Sequence, residues 1–265
     1  MLSFPSRRTV GAALVAGLIA VMPLRLGAQG NAPVIAAAST LQFAMPEIVA
    51  AFTAETGQQV RVAFGSTGNF ARQIREGAPF GVFLAADEAF IQGLHADGVI
   101  GDAGDAYALG RIVVVAPEGS ALTPDDNLDH LAALLAAGEV TRFAIANPEH
   151  APYGMRAREA LITRGLWEPL QPLLVQGENV SQAAQFALSG NADGGIIAYS
   201  LALAPEVAAR GAHALIPEAW HAPLRQRMVL LDGADPGARA FYAYMKSPEA
   251  RGILARHGFA APGAE

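Results

Sequence analysis

From residue 34 almost to the end of the chain, apolar runs of strand length alternate with amphipathic segments of helical period, and this alternation limits the possible folds more than any other feature. Residues 34–38 precede a segment with Leu41, Met45, Ile48, Val49 and Phe52 at helical spacing, in which Pro46 suits only the first turn. Residues 60–64 precede 69–76, 82–86 precede 88–96, and 112–116 precede 128–137. Further along, 143–146 lead to a helix near 153–164, 173–175 to 180–188, 195–198 to 200–209, and 228–231 to two closing helices. Glycines 98, 138, 165, 190, 211 and 258 stand where these helices should end, and Ser247-Pro248 marks the start of the last one. Strand and helix in strict turn predict an α/β fold with largely parallel sheets flanked by helices. No repeat or Pro/Gly/Ser-rich linker divides the chain. Two lobes would therefore be joined by strands that pass between them, with 112–116 and 228–231 the expected crossings.

Residues 1–28 stand apart. Arg7 and Arg8 precede the 13-residue apolar run VGAALVAGLIAVM, and small residues follow, which is the pattern of a secretory signal peptide with cleavage expected after Ala28. The run is short for a membrane span of about 20 residues. Ser6-Arg7-Arg8 approaches a twin-arginine signal, from which Val10 and Gly11 depart. Removing this leader takes away three arginines and no acid, leaving 15 basic and 24 acidic residues and a net charge of −9. Such a chain has no general attraction for nucleic acid or anionic lipid. The absence of cysteine excludes disulfides, thiolate catalysis and Cys-ligated zinc. The expected product is an acidic, soluble, exported protein.

In open α/β sheets ligands gather at the carboxyl ends of strands, where helix N-termini present unpartnered N–H groups and a positive dipole end. Four strand-to-helix junctions share one chemistry. AAAS-TL offers Ser39 and Thr40, and FGSTGN offers Ser66 and Thr67. HAPYGM offers Tyr153 with Gly154 beside it, and ENVSQ offers the N–H groups of Val180 and Ser181, with Asn179 as a cap. Any one of these is ordinary helix capping. Their recurrence, with no Lys or Arg between strand end and helix start, suits a small ionised oxyanion held by neutral donors. A nucleotide is disfavoured, because no GxxxxGK[ST] loop is present.

These same segments, AAASTLQFAMPEIVAAFTAETG, FGSTGNFARQIREGAP, LAADEAFIQGL, NPEHAPYGMRAREAL and ENV, resemble the periplasmic molybdate-binding proteins of ABC importers, the ModA family, in order and over nearly all of 34–259. The resemblance implies a two-lobed type II periplasmic-binding-protein fold with the ligand between lobes at 31–109 plus 229–265 and 110–228. It implies Ser39 as a hydroxyl donor with Thr40 beside it, Thr67 as hydroxyl and N–H donor, Tyr153 through its phenol, and Val180 through its backbone N–H. Molybdenum would enter only as its oxyanion, molybdate or tungstate, with no cofactor. A membrane permease is the implied partner, the periplasm the implied location and a monomer the implied state. Some members use a tyrosine in the segment matching 195–198. Ala198 stands there in this chain, so Tyr153 substitutes for it, with Tyr199 the less favoured alternative. The family's GAPADLF reads GAPFGVF here, and Gly81 in place of the acid leaves that loop's geometry and the ligand preference open.

Other features have plainer readings. Glu149-His150 reads as a solvated loop pair, and the six histidines at 95, 130, 150, 213, 221 and 257 read as surface or loop. No G-x-S-x-G elbow or H-E-x-x-H pair supports hydrolase or zinc chemistry. Tyr242 and Tyr244 are two apart in a helix and share no face, whereas Phe241 and Met245 form its buried stripe. The alternatives are a sulfate-binding protein, an exported enzyme or a non-transport sensor on the same fold. Phosphate is disfavoured because its proton would need an acceptor among the loops.

Overall fold

The wholly apolar runs become strands buried on both faces, as sheets covered by helices on each side require. A computed structural model describes residues 32–263 together with Met1; the expected leader at 1–28 lies outside them. Ten strands occur among the described residues: β1 Val34–Ala38, β2 Arg61–Gly65, β3 Val82–Ala85, β4 Asp105–Gly110, β5 Ile112–Pro117, β6 Phe143–Ala146, β7 Leu174–Gly177, β8 Gly194–Ala198, β9 Gly211–Leu215 and β10 Leu224–Leu230. They form two five-stranded sheets, ordered β2-β1-β3-β10-β4 and β7-β6-β8-β5-β9. The helices are α1 Ala44–Thr56, α2 Thr67–Arg75, α3 Glu88–Ala96, α4 Asp129–Ala137, α5 Pro152–Thr163, α6 Trp167–Leu170, α7 Val180–Ala187, α8 Tyr199–Ala202, α9 Pro205–Ala208, α10 Pro236–Tyr244 and α11 Pro248–Arg256.

The sheets are mixed rather than largely parallel. β1 pairs in parallel with β2 and β3, and β6 with β7 and β8, but β10 runs antiparallel to β3 and β4, and β5 to β8 and β9. The reason is how the chain changes sheets. β4 and β5 are separated by Arg111 alone, so β5 starts beside the end of β4 and must run back against its neighbours. β10 re-enters the first sheet at Leu224, which pairs with Gly110, and likewise runs away from the crossing. The expected crossing strands 112–116 and 228–231 therefore each lie in one sheet, and the passages are Arg111 and the connection 216–223. The first sheet regains the chain at Leu224, earlier than the expected 229.

Period-2 alternation decides which core each strand residue serves. Ile35 and Ala37 face Phe52, Phe241 and Tyr244, whereas Ala36 faces Phe70, Phe83 and Ile91. The Phe52 ring meets Phe241 edge-on at 5.3 Å. α2 buries Thr67, Phe70, Ala71 and Ile74, the i, i+3, i+4, i+7 stripe of an amphipathic helix. The expected helix over 200–209 is two short ones, α8 and α9, because Pro205 cannot continue a helix begun at Tyr199. Gly211 is no helix end: it opens β9, where a Cβ would come within 2.0 Å of the Ala116 carbonyl oxygen. Gly81 lies at the start of β3, the end away from the β3–α3 junction, and a Cβ there would meet Ala238 Cβ at 2.6 Å. Its role is helix-to-sheet packing against α10.

At the edge strand β4, Lys246 Nζ (2.9 Å) and the Tyr242 hydroxyl (2.7 Å) both donate to Asp105 Oδ2. These bonds, Lys246 foremost, hold the Asp105 carboxyl below its ordinary value. A depressed carboxyl pKa stabilises the fold above the ordinary carboxylate range and loses that contribution as pH falls through the folded value. Asp105→Asn is thus expected to flatten the acid-side fall of the urea midpoint and to lower the midpoint slightly at neutral pH. An unchanged acid-side slope would show that the pair is too well solvated to count.

Candidate functional site

The parallel strands of both sheets end on the same side, and four helical N-termini arrive there. β1 ends at Ala38 and turns at once into a 3-10 turn over Ser39–Leu41. β2 ends at Gly65, Ser66 is the N-cap, and α2 begins at Thr67. β6 is followed by the loop to α5, which opens with Pro152 at the position where a missing N–H costs nothing. β7 leads through Asn179, whose side chain caps Ser181 N and Gln182 N at 3.1 Å, into α7 at Val180. Bare backbone makes such tight junctions possible. A Cβ on Gly154 would lie 2.1 Å from the Ala146 carbonyl oxygen.

Ser39, Thr40, Thr67, Tyr153 and Val180 all line one cavity of about 10 Å³, and no charged side chain is among its lining residues. Their four polar side chains are almost fully buried, and each has a defined partner. Thr67 Oγ1 accepts from Ala86 N at 3.0 Å, so its hydrogen is left to donate. The Tyr153 oxygen accepts from Thr40 Oγ1 at 3.2 Å and from Gln226 Nε2 at 2.9 Å, so its hydrogen too is left over. Burial pushes the Tyr153 phenol up to about 12, which keeps it protonated at neutral pH. Thr40 is committed to the protein: its hydroxyl lies 2.7 Å from Ser200 Oγ, which also donates to the Thr40 carbonyl at 3.1 Å. Ser39 Oγ accepts from Ser181 N at 3.4 Å, a long bond that leaves the hydroxyl exchangeable. At the start of α7 the Ser181, Gln182 and Ala183 N–H groups bond to Asn179. The Val180 N–H, first in the helix, has no acceptor within it, and Val180 lines the cavity.

Around this cavity the two sheets' loops are clasped together. Ser66 Oγ lies 2.8 Å from His150 Nδ1 and donates to the His150 carbonyl at 2.7 Å, and Gly68 N donates to the same carbonyl at 2.9 Å. Asn69 Nδ2 reaches Glu178 at 3.5 Å, which also stands 3.5 Å from His150 Nε2. Deeper in, Arg156 Nη2 on α5 meets Asp87 Oδ2, the N-cap of α3, at 2.7 Å with both side chains buried.

Several readings change accordingly. His150 is not half of a solvated pair with Glu149; it joins the loop of α2 to the loop of α5. His221 is buried rather than at the surface, where burial lowers its pKa. Tyr199 does not line the cavity: the Arg111 guanidinium lies over its ring at 4.6 Å and His213 beside it at 5.9 Å. Gln226 and Ser200 escaped the sequence reading, as did the hydroxyl of Ser181, of which only the N–H group was named; that hydroxyl donates to the Ser39 carbonyl at 2.9 Å. Gln226 carried no signal, being one polar residue in the strand LRQRMVL. Ser200 and Ser181 sit at the starts of α8 and α7, where serine is ordinary.

The pattern of the bacterial extracellular solute-binding protein family matches residues 33–260. The molybdate-binding protein ModA of Rhodobacter capsulatus is 36% identical over 262 residues, covering 98% of this chain and 99% of that protein. That of Azotobacter vinelandii is 34% identical over 261 residues, covering 97% of this chain and 99% of that protein. The solved Azotobacter vinelandii periplasmic molybdate-binding protein superposes with a TM-score of 0.77 at 28% identity, over 87% of this chain and 99% of that one. With a two-lobed α/β frame and a donor-lined cavity between the strand ends, the chain belongs to the bacterial extracellular solute-binding proteins and, within them, to the ModA family, whose members bind and deliver solutes rather than catalyse reactions.

Proposed function

We propose that the cavity captures a fully ionised tetrahedral oxyanion, molybdate or tungstate, and that the protein hands it to the membrane permease of an ABC importer. The observation that carries this reading is the convergence of helical N-termini and neutral donors on one cavity without a charged lining residue. Thr67 and Tyr153 each keep a hydrogen to donate, Val180 supplies an N–H, and Ser39 exchanges its long bond to Ser181 for one to the anion. Thr40 acts at one remove, by donating to Tyr153. Helix dipoles and many hydrogen bonds then balance the charge that no cation neutralises. Ser39 and Thr67 come from the first sheet's loops and Tyr153 and Val180 from the second's, so the anion meets its full set of donors only when the lobes close. Binding therefore shifts the population towards the closed form, which the permease recognises. In this reading the leader is removed near Ala28, the mature protein works as a periplasmic monomer, and no cofactor takes part.

Thermal unfolding with molybdate, tungstate, sulfate, phosphate or chloride at equal ionic strength tests it. A ligand at 100 times its dissociation constant adds about 2.7 kcal/mol. Molybdate and tungstate should raise the midpoint, and phosphate and chloride should not. Thr67→Val should then weaken molybdate by roughly tenfold, the loss of one hydrogen bond to a charged group. An equal shift with sulfate would reassign the ligand, and no shift with any anion would sink the proposal.

A further inference from the structure

We propose that Gln226 is a positioning residue that makes the Tyr153 phenol an obligate donor to the bound anion, with Tyr107 holding Gln226 in place; the inference rests on the oxyanion site proposed above. Gln226 is completely buried on β10, in the sheet opposite the helix that carries Tyr153. A buried amide has to place both its oxygen and its NH2 group. The Tyr107 hydroxyl donates to Gln226 Oε1 at 2.7 Å and lies 3.2 Å from the Ala85 carbonyl oxygen. That contact turns the amide oxygen towards Tyr107 and the NH2 towards Tyr153, where Nε2 donates at 2.9 Å.

The consequence falls on the phenol. Its oxygen accepts from Gln226 on one side and from Thr40 Oγ1 on the other, so its one hydrogen has neither of these groups as an acceptor and is left for the cavity that Tyr153 lines. Without Gln226 the phenol can turn and spend its hydrogen on the protein. The space is built for this pair: a Cβ on Gly110 would stand 2.3 Å from the Tyr153 oxygen and 2.7 Å from Gln226 Nε2. Because the amide is neutral, it orients the donor without adding charge to a site that has none.

Calorimetric titration with sodium molybdate and sodium tungstate tests the inference on four proteins: wild type, Gln226→Met, Tyr153→Phe and the double variant. Gln226→Met should weaken both anions about tenfold and Tyr153→Phe at least as much, whereas the double variant should bind like Tyr153→Phe alone. Tyr107→Phe removes a hydroxyl and no packing volume, so it covers the event that Gln226→Met fails to fold. Its smaller loss should likewise vanish in the Tyr153→Phe background. A purely structural role would lower the unfolding midpoint and give losses that add to that of Tyr153→Phe; additive losses, or wild-type affinity in both Gln226→Met and Tyr107→Phe, overturn the inference while the oxyanion site stands. A wild-type protein that binds neither anion overturns the proposed function and this inference with it.

Discussion

Gly68→Ala will weaken oxyanion capture by roughly tenfold to a hundredfold while leaving the ligand-free protein as stable as before. Gly68 sits in the first turn of α2, and a Cβ there would lie 2.6 Å from the His150 carbonyl oxygen and 3.0 Å from its Cα. Both are backbone atoms, and the same carbonyl accepts from Gly68 N and Ser66 Oγ, so it cannot swing aside without losing two bonds. Overpacking of this kind costs about 1–3 kcal/mol. That penalty exists only where the α2 and α5 loops touch, so it falls on the closed form and reduces affinity rather than folding stability. Alanine within a helix is, if anything, favoured over glycine by up to about 1 kcal/mol. The measurement is a pair: the unfolding midpoint without ligand and the calorimetric dissociation constant for molybdate. A lower ligand-free midpoint with unchanged affinity would refute the account, because it would place the clash inside one lobe.

Arg156→Met should have the larger effect on the closed form, about 3–5 kcal/mol. Arg156 donates from Nη2 to Asp87 at 2.7 Å and from Nη1 to both oxygens of Glu159 at 2.6 and 2.9 Å. Asp87 also caps α3 through Ala89 N at 2.9 Å and follows Ala86, whose N–H fixes the Thr67 hydroxyl. Methionine would leave the Asp87 carboxylate buried without its cation, a state the protein escapes by opening the lobes and hydrating it. Molybdate affinity should therefore fall by a hundredfold or more. Asp87→Asn combined with Arg156→Met keeps the cap and removes the uncompensated charge, so the double variant should bind better than Arg156→Met alone. If the two bind equally, the ion pair is not what holds the lobes.

The alternation of apolar runs and amphipathic segments was sufficient for the α/β class, since a strand buried on both faces and a helix with one apolar stripe write different periods. It did not reveal β4 or β9. DAYALG and GAHAL mix small and polar residues because edge strands need not be apolar throughout, and their pairing with β10 and β5 supplies what their composition lacks. For the same reason the mixed direction of the sheets was hidden: direction follows from where the chain crosses at Arg111, not from the residues of β5 or β10.

The candidate site divides along a similar line. Ser39, Thr67, Tyr153 and Val180 were legible because a strand end, a turn and a helix start are neighbours in sequence, so local chemistry announces them. Gln226, His150 and Gly68 were not. What each does depends on a partner 73 to 84 residues away in the chain: Gln226 on Tyr153, and His150 on Ser66 and Gly68. The sequence by itself determined the strand-to-helix junctions and the donors they carry, since those are fixed by backbone and capping preferences over a few residues. Only the tertiary structure decided which donors are spent within the protein and which are left for a ligand, because a hydroxyl's free hydrogen is settled by acceptors and donors that meet it across the space between two sheets.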